Sequence, residues 1–152
     1  MNYYERLVWI AKEIELKDSC FVLTESESLD AIATEVKAMV VDLGLKPLVL
    51  KYSEFQVSKN PKSLMDFRDD PSSEWVIIVI LDQPFSDYGY SFLKLIGDEL
   101  TRKMYGGIDL PNGVFLPIKN ATMRCGVVVT TKNTILQCSE DDQGVLDYYS
   151  VL

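Results

Sequence analysis

Carboxylates are the side chains of this chain best suited to chemistry. Glu25, Glu27 and Asp30 lie in one short segment, and Asp82 follows the apolar run Trp75–Leu81. Carboxylate oxygens suit Mg²⁺ or Ca²⁺, so Asp82 is a candidate metal ligand. The alternative, which the pattern favours, is that acids near a helix start interact with its dipole and solvent. For Asp82 the favoured alternative is a cap on the following loop through the N–H of Ser86.

The residue types that are missing exclude several kinds of active site. The chain contains no histidine, which excludes Ser-His-Asp and Cys-His nucleophilic sites, histidine acid–base catalysis and histidine-containing zinc sites. The cysteines are Cys20, Cys125 and Cys138, without CxxC spacing. This pattern predicts reduced, mostly buried thiols and a cytoplasmic or nuclear location.

The charge balance restricts the partners. With 15 Lys and Arg against 23 Asp and Glu, the net charge is −8, which argues against general nucleic-acid binding. Apolar residues make up 47% of the chain and charged residues 25%, as expected of a globular protein. The longest strongly apolar run, Trp75–Leu81, is too short to span a membrane. We therefore expect a protein partner, with neither general nucleic-acid binding nor membrane insertion.

Hydrophobic periodicity predicts a single α/β domain over residues 1–152. Helical spacing marks Asn2–Lys17 and Ser28–Leu43, the latter with Ser28 as N-cap and Gly44 as its stop. Further helices are expected after Asn60-Pro61, from Asp87 to about Gly106-Gly107, and from Ser139. The predicted strands are Cys20–Leu23, Pro47–Leu50, Trp75–Leu81, Val114–Ile118 and Gly126–Thr131. The alternation predicts a three-layer sandwich, with a mainly parallel sheet of about five strands and an edge hairpin in the later part.

Parallel strands would bring three loops to one edge of this sheet. The loops are Thr24–Ser28, Tyr52–Gln56 and Asp82–Asp87, each at the carboxyl end of a predicted strand. Ligands of α/β sheets bind at such edges. We therefore expect any binding site to lie there.

The order of the segments resembles the P-loop core of AAA+ ATPases, particularly the MoxR, midasin and dynein-like branches. Phe21–Leu23 resembles the strand that leads to Walker A, and Val76–Gln83 resembles Walker B. Leu48–Phe55 with Asn60–Asp66 resembles the second strand and the segment after it. The hairpin and the sensor-1 strand correspond to Leu110–Ile118 and Gly126–Asn133, with Asn133 (or Asn120 in another register) at the sensor-1 position. The resemblance implies a P-loop NTPase-like fold.

The chain departs from that family where phosphate is bound and water activated. The segment Thr24–Asp30 has no glycine or lysine, whereas a P-loop needs both. Its carboxylates would repel a polyphosphate by roughly a few kcal/mol. Gln83 replaces the Walker B glutamate, and glutamine is not a base. The resemblance then implies a degenerate core in which a ligand, if one binds, would contact Thr24, Ser26, Ser28, Asp82, Gln83 and Asn133.

We therefore expect a non-catalytic AAA+-like module that acts through protein–protein interaction in a larger assembly, without a cofactor. One alternative is a nucleotide- or NAD-binding enzyme or sensor at the sheet edge, with Mg-nucleotide as a ligand. Toll/interleukin-1 receptor-like domains, which can cleave NAD, carry a catalytic glutamate comparable to Glu99, although a solvated helix face accounts better for Glu99. A second alternative is a small acidic inhibitor steered by its charge to a basic partner.

Overall fold

The computed structural model describes residues 2–25, 28–56, 62–70, 72–84, 107–109, 115–117, 122–137 and 150–151. Its α-helices are α1 (Tyr3–Glu15), α2 (Leu29–Asp42), α3 (Lys62–Asp69) and α4 (Lys132–Leu136), and a 3₁₀ helix spans Tyr52–Gln56. The strands are β1 (Cys20–Thr24), β2 (Lys46–Lys51), β3 (Glu74–Leu81), β4 (Gly107–Asp109), β5 (Phe115–Pro117), β6 (Thr122–Thr131) and β7 (Ser150–Val151). The helices expected from Asp87 and from Ser139 lie outside the described residues, as does the Asn60-Pro61 start.

Local capping signals fix the first two helices. The Asn2 side chain accepts a hydrogen bond from the Glu5 backbone N–H at 2.8 Å, which begins α1. Ser28 caps α2 by accepting from the N–H of Ala31 at 3.4 Å. Gly44, at φ 79°, follows the end of α2 in the left-handed conformation that glycine adopts without strain. The predicted cap and stop of α2 are thus confirmed.

A parallel sheet forms the centre of the fold. Its strands lie in the order β2-β3-β6-β1, and the two-residue β7 pairs with β1 at Cys20↔Ser150 and Phe21↔Val151. This confirms an α/β fold with a parallel sheet. No described helix is both long enough and apolar enough to cross a membrane.

The later part of the chain differs from the predicted edge region. β6 lies centrally between β1 and β3, and its residues from Cys125 to Thr130 are buried. Because both faces of this strand are covered, its side chains form an unbroken apolar run, which Gly126–Val129 provides. The hairpin pairs β4 with β5 antiparallel in a separate two-stranded sheet, and Gly107, expected at a helix end, begins β4.

Helices contact both faces of the parallel sheet. On one face, α1 and α2 pack on alternate residues of β3 and β6 in a buried cluster that includes Ile10, Ile14, Ile32, Val36, Val76, Ile78, Val127 and Val129. On the other face, the Phe67 ring of α3 packs edge-on against Trp75, with ring centroids 5.4 Å apart. Because every residue of β3 after Glu74 is buried, the strand lacks polar alternation.

Two of the cysteines are free and buried, as predicted. Cys20 and Cys125 belong to the cluster under α1 and α2. Burial raises the pKa of the Cys125 thiol to about 12, and burial is likewise the main cause of the raised pKa of Cys20. Both thiols are therefore neutral and unreactive near pH 7. Cys138 lies outside the described residues.

Candidate functional site

The carboxyl edge of the parallel sheet collects polar side chains from several strands. β1 ends at Thr24, β2 continues into Ser53, β3 is followed by Asp82 and Gln83, and β6 ends at Thr131. Parallel pairing places these strand ends at the same side of the sheet. The predicted convergence of the loops is confirmed for their described residues.

Asp82 is engaged by the neighbouring strand end. One carboxylate oxygen accepts the backbone N–H of Ser53 at 3.1 Å, and the other accepts the Ser53 hydroxyl at 2.5 Å. These bonds join the end of β3 to the 3₁₀ helix after β2. The expected partner, Ser86, lies outside the described residues. Nothing in the sequence singled out Ser53, because its role depends on β2 lying beside β3.

A lysine and an aspartate form the second contact of this edge. The Lys51 Nζ lies 3.2 Å from both carboxylate oxygens of Asp30, in the first turn of α2. The hydrogen bond to Asp30 is the main cause of the raised pKa of Lys51, with smaller contributions from the charges of Asp30, Asp82 and Glu54. Asp30 therefore neutralises the basic side chain at the end of β2.

Gln83 leaves a polar atom unsatisfied. Its Nε2 is buried and has no hydrogen-bond partner among the residues that the structure describes. A buried donor without an acceptor costs about 1–3 kcal/mol. Gln83 holds the Walker B-like position in the sequence, and its amide is a buried donor that the described residues leave without an acceptor.

The remaining predicted site residues occupy different surroundings. Thr24 is buried and has an interaction partner, and the hydroxyl of Ser28 caps α2. Asn133 is exposed in the first turn of α4, whose N-cap is Thr131. Glu25 is exposed. Ser26, Glu27, Glu99 and Asn120 lie outside the described residues.

Two threonines at the end of β6 form hydrogen bonds with neighbouring elements of this edge. These contacts were not predicted from the sequence. The Thr130 hydroxyl donates to the backbone oxygen of Leu81 at 2.9 Å, which links the ends of β6 and β3. Thr131 accepts the N–H of Thr134 at 3.0 Å and so begins α4. A Val-Val-Val-Thr-Thr run signals a strand, but only the pairing with β3 shows what these hydroxyls bind.

Within the described part of the chain, no three Cys, Asp or Glu side chains lie close enough together to hold a metal ion. Asp82 would therefore act with at most one further protein carboxylate or thiolate there. Its two oxygens already accept hydrogen bonds from Ser53. Among the described groups of the edge, the buried Gln83 amide is a hydrogen-bond donor without a protein partner.

Compared with models of known families, with curated proteins and with solved structures, the chain matches none.

Proposed function

We propose that this protein is a non-catalytic α/β module, a degenerate relative of the AAA+ core, that acts without a cofactor by binding another protein in a larger assembly of the cytoplasm or nucleus. One observation carries the proposal. The carboxylate of Asp82 and the ammonium of Lys51, two groups of the edge suited to metal and phosphate, are bound by Ser53 and Asp30 of the chain itself.

The strands that carry the AAA+ resemblance lie side by side in the parallel sheet. The strand with the sensor-1 resemblance, β6, lies between β1, which resembles the Walker A strand, and β3, which resembles the Walker B strand. The segments that carry the resemblance are thus neighbours in the sheet, while the residues for nucleotide chemistry differ from the family's.

The electrostatics of the edge support the absence of catalysis. Glu25 is exposed after β1, Asp30 lies in the first turn of α2, and Asp82 follows β3. Lys51 offsets one of these charges through its ion pair with Asp30. A polyphosphate would have to displace Asp30 from Lys51 and approach the remaining carboxylates, which repel it.

Thermal unfolding with ATP, ADP and NAD, each with and without Mg²⁺, tests the proposal. A ligand at 100 times its Kd would add about 2.7 kcal/mol, which corresponds to several degrees in Tm. We expect no shift from any of the three. An Mg²⁺-dependent shift with ATP, together with hydrolysis that Asp82→Ala abolishes, would refute the proposal.

The unpaired amide of Gln83 favours a second candidate, a ligand-binding sensor at the same edge. An acceptor on a bound nucleotide or NAD-like ligand would satisfy Nε2, which the described residues leave without a partner. In that case one ligand raises the Tm without turnover, and Gln83→Met abolishes the shift. A shift that survives Gln83→Met would exclude this amide as the contact.

A further inference from the structure

The outer edge of β2 borders an open groove. β2 is the terminal strand of the parallel sheet, and no other described strand pairs with its outer side. A groove of about 510 Å³ runs beside it, between α2 and α3. The groove is lined by Lys37 of α2, by Lys46, Pro47 and Val49 of β2, by Asp66 and Asp69 of α3, and by Trp75 of β3.

The backbone of β2 is suited to pairing with one more strand. Proline fits a sheet edge when its missing N–H would point away from the neighbouring strand. Alternate residues of a strand direct their backbone N–H and C=O groups to the same side of the strand. The backbone groups of Val49 therefore face outward if those of Pro47 do. The outward side of β2 then presents the N–H and C=O of Val49, which no described strand pairs with and which are the groups that added strands use.

The lysines of β2, which would usually protect an edge strand, are paired with carboxylates of the same chain. Lysines on an edge hinder pairing with other chains. Lys46 lines the groove, but its ammonium forms an ion pair with Asp70. Lys51 forms an ion pair with Asp30. Both terminal lysines of β2 are thus drawn to neighbouring carboxylates of the same chain.

The two walls of the groove differ in chemistry. Asp66 and Asp69 on α3 form no ion pair or hydrogen bond with any described residue, and both are exposed. The opposite wall carries the partly buried Val49, which packs on the apolar cluster, and the exposed Lys37. Side chains of an extended segment alternate between two faces, so apolar residues would meet Val49 while basic residues meet the two aspartates.

We infer that the β2 edge binds an extended segment of a partner protein by strand addition, with apolar residues towards α2 and lysine or arginine towards Asp66 and Asp69. The inference rests on the proposed function and names the partner chemistry of that module. The net charge of −8 favours the same basic partner.

Calorimetric titration of the full chain with a capped octapeptide of alternating valine and lysine tests the inference. We expect binding at low salt that weakens as salt rises, and no binding of the matched valine–glutamate peptide. The double variant Asp66→Asn with Asp69→Asn should weaken binding about threefold to tenfold. Its control, Asp18→Asn, changes an exposed acid just before β1, three strands across the sheet, and should leave the affinity unchanged.

Two N-methylated peptides distinguish strand addition from simple charge attraction without altering the protein. Methylation of the alternate N–H groups that face β2 should weaken binding by at least about tenfold. Methylation of the other alternate set should leave the affinity within about threefold, because those groups face solvent. Equal effects of the two sets, or equal binding of the glutamate peptide, would overturn the inference.

The outcomes also separate this inference from the proposed function. Peptide binding that fails while nucleotides leave Tm unchanged would overturn the β2 site alone. A nucleotide-dependent shift with turnover would overturn the proposed function whatever the peptides do. Sedimentation of the protein alone tests whether a second copy of the chain binds the β2 edge. A dimer that the valine–lysine peptide dissociates would show that it does, and would overturn the inference of a segment from a partner protein.

Discussion

The two ends of the parallel sheet differ in how completely their polar groups are paired. At the amino end, Arg124 near the start of β6 joins three elements. Its Nε donates to the Ile14 oxygen at 2.8 Å and its second terminal nitrogen to the Glu15 oxygen at 3.1 Å. Its first terminal nitrogen forms an ion pair with Glu74 of β3. One side chain thereby satisfies carbonyl groups at the end of α1 and a strand carboxylate.

The carboxyl end has comparable hydrogen bonds and ion pairs, but the described residues leave a buried amide there without a partner. Asp82 holds Ser53, and Lys51 holds Asp30. The Nε2 of Gln83 is nevertheless buried without a partner among the described residues. Both ends contain charged side chains that form ion pairs. They differ in whether each buried polar group has a hydrogen-bond partner among the described residues. Among the described residues, the Arg124 contacts at the amino end account for its polar groups as stabilising bonds, whereas the Gln83 amide at the carboxyl end makes no such bond.

The largest effect is expected at the amino end. Arg124→Ala removes both bonds to α1 and leaves the half-buried Glu74 carboxylate unpaired. We expect a loss of about 2–3 kcal/mol in the free energy of unfolding, measured with urea. Arg124→Lys keeps a positive charge but cannot reproduce the forked bonds, so it should recover only part of the loss. Full recovery by lysine would show that charge alone matters there.

A smaller loss is expected from Asp82→Ala at the carboxyl end. It removes the acceptors of the Ser53 N–H and hydroxyl, at a cost of about 1–2 kcal/mol. Ser53→Ala removes only the hydroxyl bond and should cost roughly half as much. Urea unfolding of both variants and the double variant measures their coupling. Additive losses would contradict a direct Asp82–Ser53 contact.

Gln83→Met is expected to be neutral or stabilising. It replaces the unpaired buried amide with an apolar chain of similar length, so the free energy of unfolding should stay constant or rise by up to about 1 kcal/mol. Gln137→Met, at an exposed glutamine after α4, is the matched control and should change it by less than about 0.5 kcal/mol. A clear loss of stability in Gln83→Met, seen by thermal and urea unfolding, would mean that the amide is already satisfied.

The smallest effect concerns acid stability at the amino end. Hydrogen bonds from Lys46 and then from Ser73 hold the pKa of Asp70 well below its usual range. A lowered pKa in the folded state stabilises it above the ordinary aspartate pKa of about 3.9, and this contribution is lost as the pH falls below that value. Asp70→Asn should therefore lower stability slightly at pH 7 and reduce its fall between about pH 4 and pH 2. Acid titration followed by circular dichroism checks this, and parallel curves for both proteins would contradict it.

Elements with local signals could be predicted from the sequence. Ser28 begins α2 by a hydrogen bond to a residue three positions later, and Gly44 ends it by its own left-handed backbone angle. Both signals are local in the sequence. The apolar run after Glu74 predicts a strand covered on both faces, and β3 is one. The candidate edge was also predictable, because parallel strands align their carboxyl ends. The partners of its side chains were not, since Asp82 and Ser53 lie 29 positions apart in the chain.

The sequence by itself determined α1, α2 and the strands β1, β2 and β3, because periodicity and caps depend on nearby residues. It also determined the burial of Cys20 and Cys125 and the edge at which polar residues gather. Tertiary structure decided that β6 lies between β1 and β3, although its late position suggested an edge. It also decided that Lys51 binds Asp30 and that Arg124 binds the end of α1. Such choices depend on the order of strands in space, which the pattern along the chain does not encode.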